Sequence, residues 1–283
     1  MKKLQLLLIS LLSLNCVAQD IVVIDTIKVK CSYEYKYLMD TIATSNKKYS
    51  STDILHLQIG SSHSKCMSYY TYQVDSIEAY GDLQETFRNV FLEATNNGWS
   101  KAQIHNALPR RRMKSKIYKN YPQGKTTITE SIVLDCYQYE EDLHLQEWTL
   151  HEESAKTILG HECQKATCTF RGREWTAWFA LDVPISDGPW KFGGLPGLIM
   201  EAYDEGYQHW FCINGLQHVE ETEPLYFGTD GKDISMFQKV KRTDLLKLQY
   251  KFFRDPDNYT KALTDISFGH SKTERKRDLL ERE

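Results

Sequence analysis

Strict alternation of apolar and polar residues is the feature of this sequence that most constrains its fold. From residue 27 to residue 37 the odd positions carry Ile, Val, Cys and three Tyr, while the even positions carry Lys, Ser and Glu. Successive side chains of a β-strand point to opposite faces, so this pattern predicts a strand with one buried face. Residues 55–59 repeat the pattern over a shorter length.

Further segments with strand character follow one another at short intervals. They are residues 126–139, 143–150, 166–170, 175–181, 198–203 and 209–214. Arg171-Gly172-Arg173 and Asp204-Glu205-Gly206 supply turns between neighbouring segments. Strands joined by short turns favour an antiparallel meander over a βαβ arrangement. We therefore predict a β-rich α+β fold in which a large curved antiparallel sheet, like half of a barrel, packs against a few helices.

Two segments carry helical signals. Apolar residues recur at helical spacing from residue 83 to residue 94, and Asn96-Asn97-Gly98 supplies a stop. A second helix is predicted to begin at Thr243 or Asp244 and to end at Asp255-Pro256. No linker interrupts the strands, so residues 19–270 are predicted to form one β-rich domain. Residues 271–283 are mostly charged and are predicted to be an exposed, frayed tail.

The first 18 residues resemble an export signal. Lys2 and Lys3 precede an apolar run at residues 4–14, which is too short for the roughly 20 residues of a spanning helix. Cleavage is predicted after Ala18, which would place the mature chain in the periplasm or otherwise outside the cytoplasm. The alternative is a lipoprotein signal with Cys16 acylated, which the bulky Asn15 disfavours. No later apolar run is long enough to span a membrane, so no transmembrane segment is predicted in the mature chain.

The net charge and the cysteines bear on nucleic-acid binding and on disulfide formation. The formal net charge of −3 gives no compositional support for nucleic-acid binding. Export would remove Cys16 and leave an even number of cysteines, which permits disulfides or buried free thiols. They are Cys31, Cys66, Cys136, Cys163, Cys168 and Cys212. Cys163 and Cys168 share one strand-like segment, roughly 16 Å apart, so they cannot pair with each other. All other pairings among the six cysteines stay open.

No segment carries a recognisable catalytic or metal-binding motif. There is no Walker loop, GxGxxG, GxSxG or HExxH pattern. We therefore assign no catalytic residue, no metal site and no cofactor from the sequence. One basic run, formed by Arg110, Arg111, Arg112 and Lys114, could dock an anionic lipid head group, lipopolysaccharide or an acidic partner. The alternative is an ordinary solvated loop.

The segment from Gly188 to Met200 reads GPWKFGGLPGLIM and is unusually rich in glycine and apolar residues. Pro196-Gly197 suits the two central positions of a type II turn. The segment predicts a rigid loop with apolar plugs and no acid, base or nucleophile. The residues predicted to form a ligand or partner loop are Trp190, Phe192, Gly194, Leu195, Pro196, Gly197, Leu198, Ile199 and, just downstream, Asp204.

Residues 194–199 spell Gly-Leu-Pro-Gly-Leu-Ile, and the chain resembles the GLPGLI family of exported Bacteroidetes proteins. Residues 160–167, 170–179 and 183–185 are similar to the family upstream of that string, whereas Cys66 stands where the family tends to have Phe. The resemblance implies a single β-rich domain in the cell envelope, beside TonB-dependent outer-membrane transporters. It implies no particular activity.

Three functions are compatible with these observations. The first is a binding or accessory protein whose curved sheet holds an apolar ligand or an envelope partner, with loop 188–200 at the mouth. The second is an envelope hydrolase, which requires a trio such as Cys163, His161 and Asp204 to converge in a cleft. The third is a structural envelope protein that docks through the same loop.

Overall fold

The computed structural model of the protein describes residues 22–38, 51–228, 236–264 and 279–282. The predicted signal at residues 1–18, including Cys16, lies outside them. The strands are β1 Val22–Tyr37, β2 Ser51–Ile59, β3 Ser64–Ser68, β4 Lys116–Lys119, β5 Lys125–Ile132, β6 Asp135–Asp142, β7 Thr149–Ile158, β8 His161–Phe170, β9 Arg173–Ala180, β10 Leu198–Asp204, β11 His209–Phe227 and β12 Phe237–Lys239. The helices are α1 Tyr69–Tyr80, α2 Leu83–Asn97, α3 Lys101–Ala107, α4 Arg242–Arg254 and α5 Pro256–Thr264.

The strands of the described residues form one sheet in the order β12-β6-β5-β4-β3-β2-β1-β11-β10-β9-β8-β7. Two antiparallel meanders, β1 to β6 and β7 to β11, meet where β1 pairs with β11. The short strand β12 is parallel to β6, and the other pairings are antiparallel. The prediction of a β-rich fold built on a large antiparallel sheet is confirmed.

The sheet is curved, and the contacts of its distant strands show this. Strands β6 and β8 are nine strand spacings apart in the sheet order, which is roughly 43 Å in a flat sheet. Yet both reach the same loop between β9 and β10. The Tyr139 hydroxyl on β6 lies 2.7 Å from Lys191 Nζ, and the Phe170 ring on β8 lies 6.5 Å from the Phe192 ring. The two halves of the sheet therefore bend around residues 181–197, which we call the inserted loop.

The core lies on the face that the sheet turns toward the inserted loop. Of the β1 residues that were predicted to face inward, those from Ile27 to Tyr35 are buried and Tyr37 is partly buried. Leu55 and Leu57 of β2 are buried beside them. Phe211 and Trp175 continue this apolar surface across the second meander. The polar residues between them on β1 are partly exposed.

The two predicted helices are present, and only the start of the second one differs from the prediction. Helix α2 is capped by the Asp82 carboxylate, which accepts from Glu85 N at 2.9 Å, and Gly98 ends it with φ near 62°. Helix α4 begins earlier than predicted, after Lys241 rather than at Thr243 or Asp244. Helix α1 was not predicted, because its tyrosines and Val74 have β propensity and its Ser68 cap is a weak signal. None of the described helices is both long and apolar enough to cross a membrane.

Two segments differ from prediction in ways that affect the inserted loop. Residues 143–148 lie between strands, and two of their side chains donate to that loop: Gln146 to Lys191 O at 2.9 Å and Trp148 to Gly193 O at 2.8 Å. Residues 279–282, which fall in the predicted frayed tail, pack against the protein, and Leu279 is buried. The apolar Leu279-Leu280 pair and the Glu281 carboxylate find partners that the overall charge of the segment conceals.

Candidate functional site

The inserted loop fills the concavity of the sheet. Trp190, Phe192 and Leu195 are 3%, 0% and 2% exposed. The Phe192 ring lies 4.8 Å from the ring of Trp175, 5.0 Å from that of Trp190 and 5.9 Å from that of Phe211. These side chains are therefore central core residues rather than a surface at the mouth of a site. Of the nine predicted site residues, only Gly194 and Pro196 are exposed to solvent.

A buried lysine on β4 holds the loop in place. Lys119 Nζ donates to Asp187 Oδ1 at 2.5 Å, to Gly188 O at 2.6 Å and to Phe192 O at 2.7 Å. These bonds use all three N–H groups of the ammonium. Backbone bonds from Leu198 N to Val183 O and from Ile199 N to Asp187 O join the loop to the start of β10. One ion pair and two carbonyl contacts thus lock the loop across the sheet.

The glycines of the loop serve close packing. A Cβ on Gly197 would lie 2.0 Å from Ala180 O, and one on Gly193 would lie 2.6 Å from His144 Nδ1. Gly194 has φ near 84°, which other residues rarely adopt. Gly197 does not have positive φ, so the predicted type II turn at Pro196-Gly197 is wrong. Glycine is required there because the backbone of β9 approaches too closely for a side chain.

A cluster of buried charges surrounds Lys191 of the same loop. Lys191 Nζ lies 2.7 Å from the Tyr139 hydroxyl, 3.0 Å from Glu141 Oε1 and 2.5 Å from Glu281 Oε1. Burial alone would raise the pKa of Glu281, but Lys191, Arg171 and Arg242 together hold it below its usual value. Burial raises the pKa of Tyr139 well above its usual value. The cluster brings together β6, the inserted loop and the segment at residues 279–282.

Asp204, the last of the predicted site residues, orients an arginine. Asp204 Oδ2 accepts from Arg173 Nη1 at 2.6 Å, and Oδ1 accepts from His209 N at 2.9 Å. Both side chains of the Asp204–Arg173 pair are almost fully buried. The remaining N–H groups of Arg173 reach Gln208 Oε1 and the carbonyl oxygens of Leu279 and Leu280. Asp204 therefore positions Arg173 against residues 279–280.

Next to Trp190 lies a cavity of about 870 Å³. One part of its wall is apolar or aromatic: Tyr35, Leu38, Met113, Ile132, Trp190, Phe252, Phe253, Leu279 and Leu280. Another part is charged: Arg110, Arg111, Arg112, Lys114, Glu130 and Glu281. The inserted loop thus contributes a side chain to the site, although most of its residues lie beneath it. The volume falls within the range of roughly 300–1,000 Å³ that is typical of ligand pockets.

Glu130, Tyr35 and His209 face this cavity from the sheet. Glu130 on β5 is buried and accepts a hydrogen bond from the Ser115 hydroxyl; burial raises its pKa to about 7. The Tyr35 hydroxyl lies 2.7 Å from His209 Nδ1, and the two rings are stacked. A buried carboxyl group with a pKa near neutrality in a cavity is a common property of functional sites.

The basic run lies on the cavity wall. Arg111 pairs with Asp75 at 2.6 Å and with Glu78 of α1, which fixes it to that helix. Arg112 lies 3.6 Å from the centre of the Tyr70 ring and donates to Thr52 O. Arg110 contacts His105, and Lys114 lies 5.9 Å from the Phe252 ring. The run is therefore an ordered rim, and its role in binding stays a prediction.

The trio suggested for a hydrolase does not converge. His161 Nδ1 pairs with Asp182 at 2.8 Å, whereas Asp204 pairs with Arg173. Cys163 pairs with Ala180 at one end of β9, and Asp204 pairs with Trp175 near the other end. Burial raises the pKa of the Cys163 thiol to about 11, so it is not an activated nucleophile.

The other cysteines of the described part are also free thiols. Burial raises the pKa of Cys31 and of Cys168 to about 12 and that of Cys66 to about 11. Cys66 instead accepts a hydrogen bond from Trp190 N at 3.2 Å, and so supports the inserted loop. Within the described ranges, no three His, Cys, Asp or Glu side chains are grouped closely enough to hold a metal ion.

Four residues that carry most of the polar contacts of the site were not predicted from the sequence. They are Lys119, Lys191, Glu130 and Glu281. Each stands among other charged or β-forming residues and has no local signature. A weak signal existed for Glu130 alone, because it interrupts a segment rich in β-branched residues. Only the curvature of the sheet shows that these side chains point toward the inserted loop and the cavity.

Residues 171–201 match the model of a family described as "Protein of unknown function (Porph_ging)". The match spans Arg173, the inserted loop and the Gly194–Ile199 string, and it is consistent with the resemblance to GLPGLI proteins. No curated protein matches the chain.

Two solved structures are similar to the chain in fold. "Structure of PNGF-II in C2 space group" is 10% identical over 80% of this chain and 33% of that chain, with a TM-score of 0.47. "Structure of PNGF-II in P21 space group" is 10% identical over 80% and 34%, with a TM-score of 0.46. The chain spans about a third of the length of those proteins.

Proposed function

We propose that this chain is an exported, non-enzymatic binding protein of the cell envelope, and that its cavity takes an amphipathic ligand with an acidic head group. The observation that carries the proposal is the 870 Å³ cavity with an apolar wall and a basic rim. The buried inserted loop acts as the scaffold of this site.

The division of the wall supports an amphipathic ligand. Phe252, Phe253, Ile132 and Leu38 offer apolar surface that an alkyl or aromatic body would cover. Arg110, Arg112 and Lys114 stand on the other side and would attract a carboxylate or a phosphate. Arg111 of the same run is paired with Asp75 and Glu78.

The envelope location rests on the leader-like residues 1–18 and on the resemblance to exported proteins. The same resemblance supports an accessory role beside an outer-membrane transporter, to which the protein would deliver its ligand. The raised pKa of the thiols and the separation of Cys163, His161 and Asp204 favour binding over hydrolysis through that trio.

A matched pair of probes tests the proposal. Decanoate and decanol share an alkyl chain and differ in the charge of the head group, and Trp190 provides a fluorescence signal at the cavity wall. We expect decanoate to bind more tightly than decanol. Lys114→Glu is expected to weaken decanoate binding by about tenfold and to leave decanol binding nearly unchanged. The control Lys101→Glu changes an exposed lysine on α3 that does not line the cavity.

If neither probe binds, or if Lys101→Glu and Lys114→Glu have the same effect, the cavity is not a site for this ligand class. Binding of decanol alone would contradict the role of the basic rim.

A further inference from the structure

The segment Leu279–Arg282, which we call the docked segment, bends at Leu280 and Glu281 and is held on the protein as a short peptide ligand would be. The docked segment makes main-chain and side-chain contacts with the β8–β9 turn, β9, the inserted loop, β6 and α4.

Arg173 and the β8–β9 turn recognise the main chain. Arg173 Nη2 donates to Leu279 O at 2.5 Å, and Nε donates to Leu280 O at 3.0 Å. In the opposite direction Arg282 N donates to Arg171 O at 3.0 Å. Because Asp204 fixes Arg173, its guanidinium is already oriented toward two successive carbonyl groups. These contacts are made to main-chain atoms of the docked segment and not to its side chains.

The side chains of the docked segment have complementary surroundings. The Glu281 carboxylate lies 2.5 Å from Lys191 Nζ and 3.2 Å from Arg242 Nη1, and the Tyr139 hydroxyl donates to it at 3.3 Å. Leu279 is buried, and both leucines lie on the cavity wall. The surroundings therefore fit two consecutive leucines followed by an acidic residue.

We propose that this surface is a peptide-recognition site and that the docked segment is its resident, displaceable ligand. The class of ligand is a short peptide in which two leucines precede a glutamate. The sheet keeps its own hydrogen-bond ladders when the segment leaves, while Lys191 retains Glu141 and Tyr139 as partners. The inference goes beyond the proposed function, because a peptide can exchange here whether or not the cavity takes a small molecule.

The test uses the full chain and a fluorescein-labelled synthetic peptide of residues 276–283, followed by fluorescence polarisation. In the wild-type chain the tethered segment competes with the free peptide, which lowers the apparent affinity. The double variant Leu279→Asp with Glu281→Lys weakens docking in cis, so we expect it to bind the native peptide at least about tenfold more tightly than wild type does. A peptide carrying the same two changes is the control and should not bind. Adding Arg242→Glu to the double variant should weaken native-peptide binding by about tenfold.

A second measurement on the wild-type chain keeps the proposal testable if the double variant does not fold. The Arg282 amide should exchange with deuterium at least about a hundredfold faster than the Ala177 amide of β9, because the docked segment detaches without global unfolding. Equal protection of the two amides would show that the segment is an integral part of the domain and would overturn the proposal. So would a folded double variant that binds the native peptide no better than wild type. Loss of decanoate binding alone would affect only the proposed function.

Discussion

The substitution Lys119→Met tests how the inserted loop is held. Methionine keeps the length of the side chain and removes the charge and all three hydrogen bonds. Lys119 is 3% exposed, and its ammonium contacts Asp187 Oδ1, Gly188 O and Phe192 O at 2.5–2.7 Å. After the change the Asp187 carboxylate retains the Gly188 amide at 2.7 Å but loses its positive partner.

The expected cost follows from the burial of the pair. Removing one partner of a buried, hydrogen-bonded ion pair costs about 3–5 kcal/mol, because the remaining charge stays uncompensated. The total stability of a protein is typically about 5–15 kcal/mol, so Lys119→Met should remove a large share. The double variant Lys119→Met with Asp187→Asn replaces the stranded carboxylate by a neutral amide and should be more stable than Lys119→Met alone.

Urea unfolding followed by circular dichroism measures these differences, provided that the m-value is unchanged. Lys125→Met is the matched control, because Lys125 Nζ also lies 2.5 Å from a carboxylate, that of Asp142, but the lysine side chain is 47% exposed. Water and salt screen that pair, so its loss should leave the unfolding midpoint almost unchanged. If Lys119→Met unfolds at the wild-type midpoint, or if the two lysine variants lose the same stability, Lys119 does not hold the inserted loop in the way described.

Three further outcomes are expected. Gly197→Ala should destabilise the protein by at least about 1–3 kcal/mol, because its Cβ would lie 2.0 Å from Ala180 O. Gly206→Ala in the β10–β11 turn is the control and should leave the urea midpoint almost unchanged. Burial raises the pKa of Glu130 from an ordinary 4.5 to about 7, so the folded protein binds the proton more tightly than the unfolded chain does. The free energy of unfolding should therefore fall as pH rises between 4.5 and 7. Glu130→Gln should flatten this fall, and an unchanged pH profile in that variant would contradict the role assigned to Glu130. Ellman's reagent at pH 8 should react slowly with the buried thiols of the native protein, because burial raises the pKa of Cys31, Cys66 and Cys168 to about 11 or 12. In guanidinium it should react rapidly with all of them. Rapid reaction at Cys66 in the native protein would contradict its burial against Trp190.

The docked segment and the cavity share part of their surface. Leu279 and Leu280 form part of that wall, so release of the docked segment would enlarge the opening beside Trp190. An exchangeable segment would then link the binding of a peptide to the access of a small molecule. The two experiments report separately on each step.

Several local features of the fold could be predicted from the sequence. The alternation of residues 27–37 predicts a strand with one buried face, and β1 buries all of the predicted residues except Tyr37, which is partly buried. The hairpin at Asp204-Glu205-Gly206 and helix α2 are likewise local, since turn residues and helical spacing act within a few positions. Helix α1 could not be predicted in this way, because its position against β2 and β3 outweighs the β propensity of its tyrosines.

The chemistry of the site could not be predicted, because it depends on residues that are distant in the chain. Lys119, Asp187 and Phe192 come together only because two meanders pair through β1 and β11 and then bend around the loop. The charges of residues 271–283 suggest a solvated tail, yet the Glu281 side chain is only 11% exposed and lies 2.5 Å from Lys191 Nζ. Its burial depends on a cationic partner that is 90 residues away in the sequence.

By itself the sequence determined a β-rich antiparallel sheet and the presence of an unusual glycine-rich loop, because strand periodicity and backbone freedom are local properties of the chain. The tertiary structure alone decided that this loop is the centre of the core, that a cavity with a basic rim opens beside it, and that residues 279–282 are bound there. Those outcomes follow from the curvature of the sheet, which brings strands from both meanders onto one loop and removes its charged groups from water.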